Sequence, residues 1–311
     1  MRALVTGGAG FIGSNLVDAL LDEGAEVVVI DDLSTGRRAN LDSALERGAE
    51  LVVADLTDPA ATSGLAADRG VQCVFHLAAQ IDVRRAVAEP AFDARINVEG
   101  TINALEAARE AGVKRFVFVS TGGAIYGEGQ GQSLPLTEDA PCLPMAPYGQ
   151  SKYAAEGYVD LYRRQHGLSA ATLRLANVYG PRQDPLGEAG VVAIFCGRLS
   201  QGLPPVVYGD GRQTRDYVFV HDVVEALLAA GRSTALGTYN IGTGLETSVL
   251  ELIDVLGSQG RTAVPAPAFE PARAGEVQRI AVSPARAAEE INWRAKTDLQ
   301  SGIAQTLASL S

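Results

Sequence analysis

The first half of the chain alternates short runs of consecutive apolar residues with longer segments whose apolar residues recur at helical spacing. The short runs predict strands at Ala3-Leu4-Val5-Thr6, Val27-Val28-Val29-Ile30, Leu51-Val52-Val53, Cys73-Val74-Phe75, Phe116-Val117-Phe118-Val119 and Thr172-Leu173-Arg174-Leu175. Segments 11–23 and 97–111 have the helical pattern. Strands that are apolar along their whole length and separated by helices indicate a parallel sheet covered on both faces. We therefore predict an α/β fold with a doubly wound parallel sheet.

The pattern becomes less regular beyond Gly180. The pair Pro204-Pro205, the Gly-Asp-Gly turn at 209–211 and the stretch 265–271 divide this part into short pieces. We predict a dinucleotide-binding domain over residues 1–180 and a smaller, mixed α/β substrate region mainly over 181–311. Residues 213–243 are expected to return to the main sheet.

Composition restricts the class of partner. The chain has 311 residues, of which 47% are hydrophobic, and a net charge of -11, which argues against nucleic acid or an anionic membrane as a partner. No apolar run approaches the length of a membrane span, and no basic leader precedes the first strand. Three separated cysteines and three scattered histidines favour reduced thiols and no metal site. We expect a cytoplasmic protein.

Gly7, Gly10 and Gly13 follow the first strand and open the first predicted helix. In a Rossmann domain, glycines at this place allow a tight turn and close approach of the backbone to a pyrophosphate at the helix N-terminus. The spacing is G-x-x-G-x-x-G rather than G-x-G-x-x-G, and a glycine-rich loop can also be only a turn. Asp31, at the end of the second strand, favours the dinucleotide. Its carboxylate can accept both hydroxyls of the adenosine ribose.

The choice between NAD and NADP depends on the same region. Asp31 would repel a 2′-phosphate, so we predict NAD, whereas a guanidinium from Arg37 or Arg38 could bind that phosphate. Asp55, after the third strand, either hydrogen-bonds the adenine or caps a turn.

Tyr148 and Lys152 stand four residues apart and share one face of a predicted helix. An ammonium beside the phenol is expected to lower the pKa of Tyr148 and make it a general base near neutral pH. The spacing is common by chance, but beside a dinucleotide loop it indicates an enzyme that moves a proton and a hydride.

The chain resembles the extended short-chain dehydrogenase/reductase superfamily over nearly its whole length. The matching motifs are Thr6-Gly7-Gly8-Ala9-Gly10-Phe11-Ile12-Gly13, Asp55-Leu56, His76-Leu77-Ala78-Ala79, Asn97-Val98-Glu99-Gly100-Thr101, Tyr148-x-x-x-Lys152 and Arg174-x-x-Asn177-Val178-Tyr179-Gly180-Pro181. The nucleotide-sugar branch is indicated by Arg215-Asp216-Tyr217-Val218, His221-Asp222-Val223 and Arg273-Ala274-Gly275-Glu276. Within that branch, the chain looks most like the shorter bacterial and archaeal UDP-glucose 4-epimerases.

The resemblance implies an NAD-dependent 4-epimerase of UDP-hexoses. Tyr148 would be the base, and Lys152 would hold the nicotinamide ribose. The implied cofactor contacts are Gly7, Gly10, Phe11, Ile12, Gly13, Asp31, Asp32, Asp55, Leu56, Leu77, Ala78, Ala79, Asn97, Ser120, Tyr148 and Lys152. The implied substrate contacts are Thr121, Gly122, Tyr148, Asn177, Arg215, Arg273 and Glu276. Arg215 and Arg273 would clamp the diphosphate, since a guanidinium matches phosphate oxygens bidentately.

One position departs from the family pattern. Many members carry a catalytic serine or threonine four residues before the tyrosine of the Val-Tyr-Gly segment, and here that position is Gly122. We expect Thr121, or an ordered water, to supply the hydrogen bond to the sugar 4-oxygen. The alternative is that Thr121 only caps the strand end. Nucleotide-sugar 4,6-dehydratases carry an acid pair where this chain has Gly123 and Ala124, so dehydration is disfavoured.

Other assignments stay open at this point. A different nucleotide-sugar epimerase, acting on UDP-N-acetylglucosamine or UDP-glucuronate, would differ at a gating residue that falls near Ile280. A non-catalytic NAD-binding sensor on the same fold typically loses the tyrosine or the lysine, and both are present. The resemblance also implies a homodimer formed by the helices at 97–111 and 151–165.

Overall fold

The protein is described here from a computed structural model that covers residues 1–62, 64–185, 190–259, 265–272 and 277–310. The strands in chain order are β1 (Arg2–Thr6), β2 (Glu26–Asp31), β3 (Glu50–Val53), β4 (Cys73–His76), β5 (Arg115–Thr121), β6 (Ala170–Leu175), β7 (Asn177–Tyr179), β8 (Val206–Tyr208), β9 (Thr214–Arg215), β10 (Tyr217–Phe219), β11 (Gly237–Ile241), β12 (Thr247–Ser248) and β13 (Ala268–Glu270).

Helices connect these strands. They are α1 (Phe11–Asp22), α2 (Asp42–Glu46), α3 (Pro59–Thr62), α4 (Leu65–Asp68), α5 (Val83–Ala88), α6 (Pro90–Ala94), α7 (Gly100–Glu110), α8 (Gly122–Ile125), α9 (Pro147–His166), α10 (Val191–Ser200), α11 (Val220–Arg232), α12 (Val249–Gln259), α13 (Ala285–Glu290) and α14 (Leu299–Ala308). Two 3-10 turns lie at Arg38–Leu41 and Gly129–Gly131, and a π-helical turn at Arg95–Glu99 joins α6 to α7. No helix in the ranges given above is long and apolar enough to cross a membrane.

The main sheet has seven strands in the order β3-β2-β1-β4-β5-β6-β11, and every neighbouring pair is parallel. The predicted doubly wound parallel sheet is confirmed. The chain moves outward from β1 in one direction through β2 and β3, and in the other through β4, β5 and β6. Ligands of such sheets bind beyond the carboxyl ends of the strands, at the point where the order reverses. That point is between β1 and β4.

Both faces of the sheet are buried, as continuous apolar strands require. In β1, Val5 packs into one core cluster and Leu4 into another. The same alternation separates Phe75 from Val74 in β4. Successive strand side chains point to opposite faces, so each strand needs apolar residues at every position when helices cover both sides. Helices α1 and α11 pack together over one face, and α7 and α9 contact each other over the opposite face.

Shorter elements follow β6. Strand β7 pairs with β10 and β8 pairs with β13, both in parallel, and β9 pairs with β12 in antiparallel orientation. A third core cluster, which includes Tyr179, Phe195, Phe219 and Leu252, holds this part together. From the same half of the chain, β11 pairs with β6 at the edge of the main sheet, with Tyr239 opposite Leu173. The division at residue 180 stays a prediction.

Candidate active site

The loop between β1 and α1 depends on the glycines at two places. Gly7 has a φ of 69°, and a Cβ on it would lie 2.7 Å from the backbone nitrogen of Ala78. A Cβ on Gly13 would clash with the carbonyl oxygen of Gly7. Gly10 is the N-cap of α1, where no side chain caps the helix and no acidic residue lies in the first turn. The loop thus offers backbone N–H groups to an anion, which fits the pyrophosphate of a dinucleotide.

Asp31 ends β2 and is buried beside this loop. Its two carboxylate oxygens accept hydrogen bonds from the backbone N–H groups of Ala9 and Leu33, each at 2.9 Å. Burial raises the pKa of the Asp31 carboxyl, and these two bonds oppose that rise. Each oxygen keeps a second lone pair, so the carboxylate can still accept ribose hydroxyls. The guanidinium of Arg37 is paired with Asp184, which makes it a weaker competitor for a 2′-phosphate.

Asp32 and Asp55, which are also predicted to contact the cofactor, each stabilise a turn. Asp32 accepts hydrogen bonds from the backbone and the hydroxyl of Ser34, at 2.9 and 2.7 Å. Asp55 is exposed and accepts from the backbone N–H of Thr57 at 2.8 Å, so the turn cap considered for it is present. A contact between Asp55 and adenine remains a prediction, as does the role of Leu56, whose carbonyl accepts from Asn103.

His76, at the end of β4, fixes the loop that faces Gly7. Its Nδ1 lies 2.7 Å from the hydroxyl of Thr6, and its Nε2 lies 3.0 Å from the hydroxyl of Thr101. The Thr101 hydroxyl donates to the carbonyl of Asn97 at 2.7 Å, so it must accept from His76 Nε2–H. The ring is therefore the Nε2–H tautomer. Burial lowers the pKa of His76 to about 3, which keeps the ring neutral.

The same network reaches the backbone after β4. With His76 accepting at Nδ1, the Thr6 hydroxyl donates to the ring and accepts from the N–H groups of Leu77 and Ala78, both at 3.2 Å. These bonds hold the loop against the glycine turn, and Ala79 follows directly. Sequence reasoning noted the His76 motif but missed this role, since its partners lie 70 and 25 residues away.

Asn97 lies in the π-helical turn and is buried. Its amide nitrogen donates to the carbonyl of Gln80 and to the hydroxyl of Ser151, both at 3.0 Å. Its amide oxygen accepts from the backbone N–H of Gln80 at 2.8 Å. The polar atoms of this side chain hydrogen-bond to the protein, and its predicted cofactor contact stays a prediction. Asn97 positions the β4–α5 loop against α9.

Tyr148 and Lys152 lie on consecutive turns of α9, which begins with Pro147 at its first position. Tyr148 is half-buried, whereas Lys152 is buried with its ammonium 4.2 Å from the ring centre of Phe118. Burial lowers the pKa of Lys152 to about 7. Burial raises the pKa of Tyr148 to about 12, and a hydrogen bond from Thr121 opposes that rise. The expected lowering of the Tyr148 pKa by Lys152 is wrong for the protein by itself, since burial dominates.

Thr121, rather than residue 122, carries the hydroxyl beside the tyrosine. Thr121 ends β5 and is the N-cap residue of α8, to which its side chain makes no capping bond. A Cβ on Gly122 would lie 3.0 Å from Val282 Cγ1 and 3.3 Å from the carbonyl oxygen of Arg174. Gly122 is buried, a side chain on it would point toward the core, and its predicted substrate contact stays a prediction.

Asn177 and Ser120, two further predicted site residues, lie close to Thr121 in the structure or in the chain. Asn177 begins β7, and its amide oxygen lies 3.3 Å from where a Cβ on Gly123 would be. That Cβ would in turn lie 3.9 Å from the Thr121 hydroxyl, so Gly123 separates the two polar side chains. Ser120 is buried, and its hydroxyl has no hydrogen-bond partner within the ranges the structure covers. A buried polar group without a partner is expected to meet a ligand or water.

The structure describes only some of the remaining residues that are predicted to contact the substrate. Arg215 lies in β9 and donates to the carbonyl of Thr214 at 2.8 Å. Arg273 and Glu276 lie outside the described residues. Ile280, at the predicted gating position, is 2% exposed and belongs to the same core cluster as Val282.

The glycine loop and Asp31 lie at the carboxyl edge of the sheet, Thr121 ends β5, and Tyr148 and Lys152 lie on α9. Residues 3–242 match the NAD dependent epimerase/dehydratase family. The chain belongs to that family.

Individual relatives show which members of the family the chain is similar to. A UDP-glucose 4-epimerase of Mycolicibacterium smegmatis is 48% identical over 99% of this chain and 97% of its own length. A crystal structure of the Thermotoga maritima UDP-glucose 4-epimerase with UDP-glucose has a TM-score of 0.95 and 42% identity, covering 100% of this chain and 98% of that one. The structure of the Thermus thermophilus UDP-glucose 4-epimerase in complex with NAD has a TM-score of 0.91 and 41% identity. The match covers 99% of this chain and 98% of that one.

Proposed function

We propose that the protein is an NAD-dependent isomerase that interconverts UDP-glucose and UDP-galactose by inverting C4 of the hexose. The observation that carries the proposal is the position of Thr121 at the end of β5, at the carboxyl edge of the sheet, where its hydroxyl favours the phenolate form of Tyr148. The near-full-length similarity to UDP-glucose 4-epimerases supports the choice of substrate.

Tyr148 is the proton acceptor for the C4 hydroxyl, and Thr121 donates a hydrogen bond that favours its phenolate form. When bound, NAD supplies reversible acceptance and return of a hydride, and its positively charged ring favours the phenolate. Gly7, Gly13 and Asp31 would hold it, with Ser120 as a further donor. Lys152 keeps a positive charge on the same side of α9 as Tyr148.

Inversion requires that the sugar present each face of C4 in turn, so the site needs room. Gly123 supplies room between Thr121 and Asn177, because a side chain there would crowd the Asn177 amide. Dehydration additionally requires an acid and a base at neighbouring carbons. Gly123 and Ala124 have no ionisable group to offer. The same segment therefore favours epimerisation over dehydration.

The decisive experiment is incubation of the purified protein with NAD and a panel of UDP-sugars, with products resolved by anomeric proton NMR. We expect UDP-glucose and UDP-galactose to interconvert with no net change in NADH absorbance. Tyr148→Phe is the matched inactive control. Inversion restricted to UDP-N-acetylglucosamine or UDP-glucuronate would move the assignment to that substrate, and a 4-keto-6-deoxy product would identify a dehydratase.

We also propose a homodimer that pairs α7 and α9 of each protomer as a four-helix bundle. Tyr153 and Tyr158 on α9 are 41% and 37% exposed, which leaves aromatic surface on the outer side of that helix. Tyr162 hydrogen-bonds to Glu106, which ties α9 to α7 within one protomer.

We also propose a cytoplasmic location, since Cys73, Cys142 and Cys196 are free thiols of the kind typical of a reducing compartment.

A further inference from the structure

Asp93 is a fully buried carboxylate in α6, which packs against the catalytic helix α9. Its Oδ1 accepts hydrogen bonds from the side-chain amides of Gln80 and Asn97, at 2.9 and 3.2 Å. Its Oδ2 has no hydrogen-bond partner in the part of the chain that the structure describes. A buried carboxylate is normally paired with a cation, because taking its charge out of water is costly. Both hydrogen-bonding partners of Asp93 are neutral.

The charge of Asp93 acts on both members of the catalytic pair. Burial lowers the pKa of Lys152, and two acids oppose that effect: Glu156, one turn further along α9, has the larger influence, and Asp93 the smaller. Asp93 also raises the pKa of Tyr148. Glu156 is already neutralised, since Arg174 donates to its two oxygens at 3.0 and 2.6 Å. Asp93 is therefore the buried acid acting on Lys152 that has no cationic hydrogen-bond partner among the described residues.

We propose that Asp93 is a positioning residue of the active site, whose buried carboxylate holds Lys152 as an ammonium ion. The same side chain fixes Gln80 and Asn97, and Asn97 in turn holds Ser151 on α9. Charge and geometry at Lys152 thus depend on one residue outside the Tyr-x-x-x-Lys motif. The consequence for catalysis rests on the proposed epimerase function, whereas the effect on Lys152 does not.

Several other charged or titratable groups lie on the elements around α6. The exposed or half-buried ones are Asp82, Arg84, Arg85, Glu89, Arg95, Glu99 and Tyr148, and the buried ones are His76, Lys152, Glu156 and Arg174. Solvent screens the exposed groups. His76 is neutral, and Glu156 and Arg174 neutralise each other. The electrostatic interactions that remain are those of Asp93 with Tyr148 and Lys152.

The chain offers a direct test because it contains only three lysines. Lysine labelled with ¹³C at the ε-carbon gives three NMR signals, and the exposed Lys114 and Lys296 serve as internal references. We expect Asp93→Asn to lower the titration midpoint of Lys152 by about one pH unit, as loss of a nearby opposite charge predicts. Asp93→Ser removes the same charge with a different effect on packing and is expected to shift the midpoint equally.

Asp222→Asn is the matched control. Asp222 is also buried, lies on α11 and accepts from the backbone N–H of Thr297 at 2.9 Å. We expect no movement of the Lys152 midpoint in this variant. An unchanged Lys152 midpoint in folded Asp93→Asn and Asp93→Ser would overturn the proposal, as would an equal shift in Asp222→Asn.

The pH profile of epimerisation is the second readout. Loss of the negative charge lowers the pKa of both Tyr148 and Lys152, so both limbs of the profile should move to lower pH in Asp93→Asn. Activity on the alkaline side should fall about tenfold for a shift of about one unit. Asp93→Glu retains the charge and should keep the limbs in place. Uniform loss at every pH would indicate a purely structural role and contradict the proposal. An inactive wild-type enzyme would refute only the proposed function.

Discussion

At the scale of single residues, the site depends on which side chain turns toward Tyr148. Thr121 and Gly122 are neighbours, yet one contacts the phenol and the other packs toward Val282. Consecutive residues at the end of a strand point to opposite sides, so moving a hydroxyl by one position would send it into the core. The catalytic hydroxyl is therefore tied to position 121 in this chain.

Thr121→Val removes the hydroxyl and keeps the shape of the side chain. The Thr121 hydrogen bond lowers the pKa of Tyr148, so its loss raises that pKa further. We expect turnover at pH 7 to fall roughly 10- to 100-fold, with the acidic limb of the profile moved to higher pH. Steady-state kinetics across pH measure both effects, and Thr121→Ser should retain most of the activity.

The position of the hydroxyl can be tested with a double variant. Gly122→Ser in the Thr121→Val background restores the serine of the family pattern, but its side chain would meet Val282 and the Arg174 carbonyl. We expect turnover to stay as low as in Thr121→Val alone. Recovery of turnover in the double variant would contradict the placement described here.

At the scale of elements, a buried ion pair joins the catalytic helix α9 to strand β6. Arg174 binds Glu156 and also donates to the hydroxyl of Tyr126 at 2.7 Å. That hydroxyl donates to the side chain of Asn240 on β11 at 2.8 Å. The network thus connects α9, the residue that follows α8, and the neighbouring strands β6 and β11.

Arg174→Met should be strongly destabilising because it leaves Glu156 as an unpaired buried charge. Breaking such a pair typically costs about 3–5 kcal/mol of unfolding free energy. The exposed pair between Arg47 and Asp22 offers the matched control, and Arg47→Met should cost less than about 1 kcal/mol. Urea unfolding followed by circular dichroism measures both. Equal losses in the two variants would show that the buried network does not hold α9.

Boundaries between elements were less predictable than the elements themselves. The pattern over 97–111 predicts one helix, whereas the structure has a π-helical turn at Arg95–Glu99 before α7. A π-helical turn contains one extra residue, and the spacing of apolar residues in the sequence does not reveal such a turn. Here it places Asn97 against Gln80 and Ser151. The deviation from the regular helix thus lies where the functional contacts are.

At the scale of the whole molecule, the open question is assembly. The proposed dimer buries the outer sides of α7 and α9, so an introduced charge on that surface should prevent it. We expect Tyr158→Glu to sediment as a 32.5 kDa monomer at micromolar concentration, where the wild type sediments at twice that mass. Phe269→Glu, which charges a 57% exposed apolar residue on β13, should remain dimeric. A monomeric wild type would refute the dimer.

The amino-acid sequence alone specifies the parallel sheet, the glycine loop with Asp31, and the Tyr148–Lys152 pair. Each is encoded over a few neighbouring residues, through apolar runs, backbone freedom or helical spacing. Tertiary contacts, in contrast, place Thr121 beside Tyr148, hold the β4 loop through His76 and Asn97, and leave Asp93 buried without a cationic hydrogen-bond partner among the described residues. Those contacts join residues that are mostly tens of positions apart, and their strength depends on burial. Burial also reversed the expected direction of the Tyr148 pKa, because the cost of desolvation is a property of the folded surroundings.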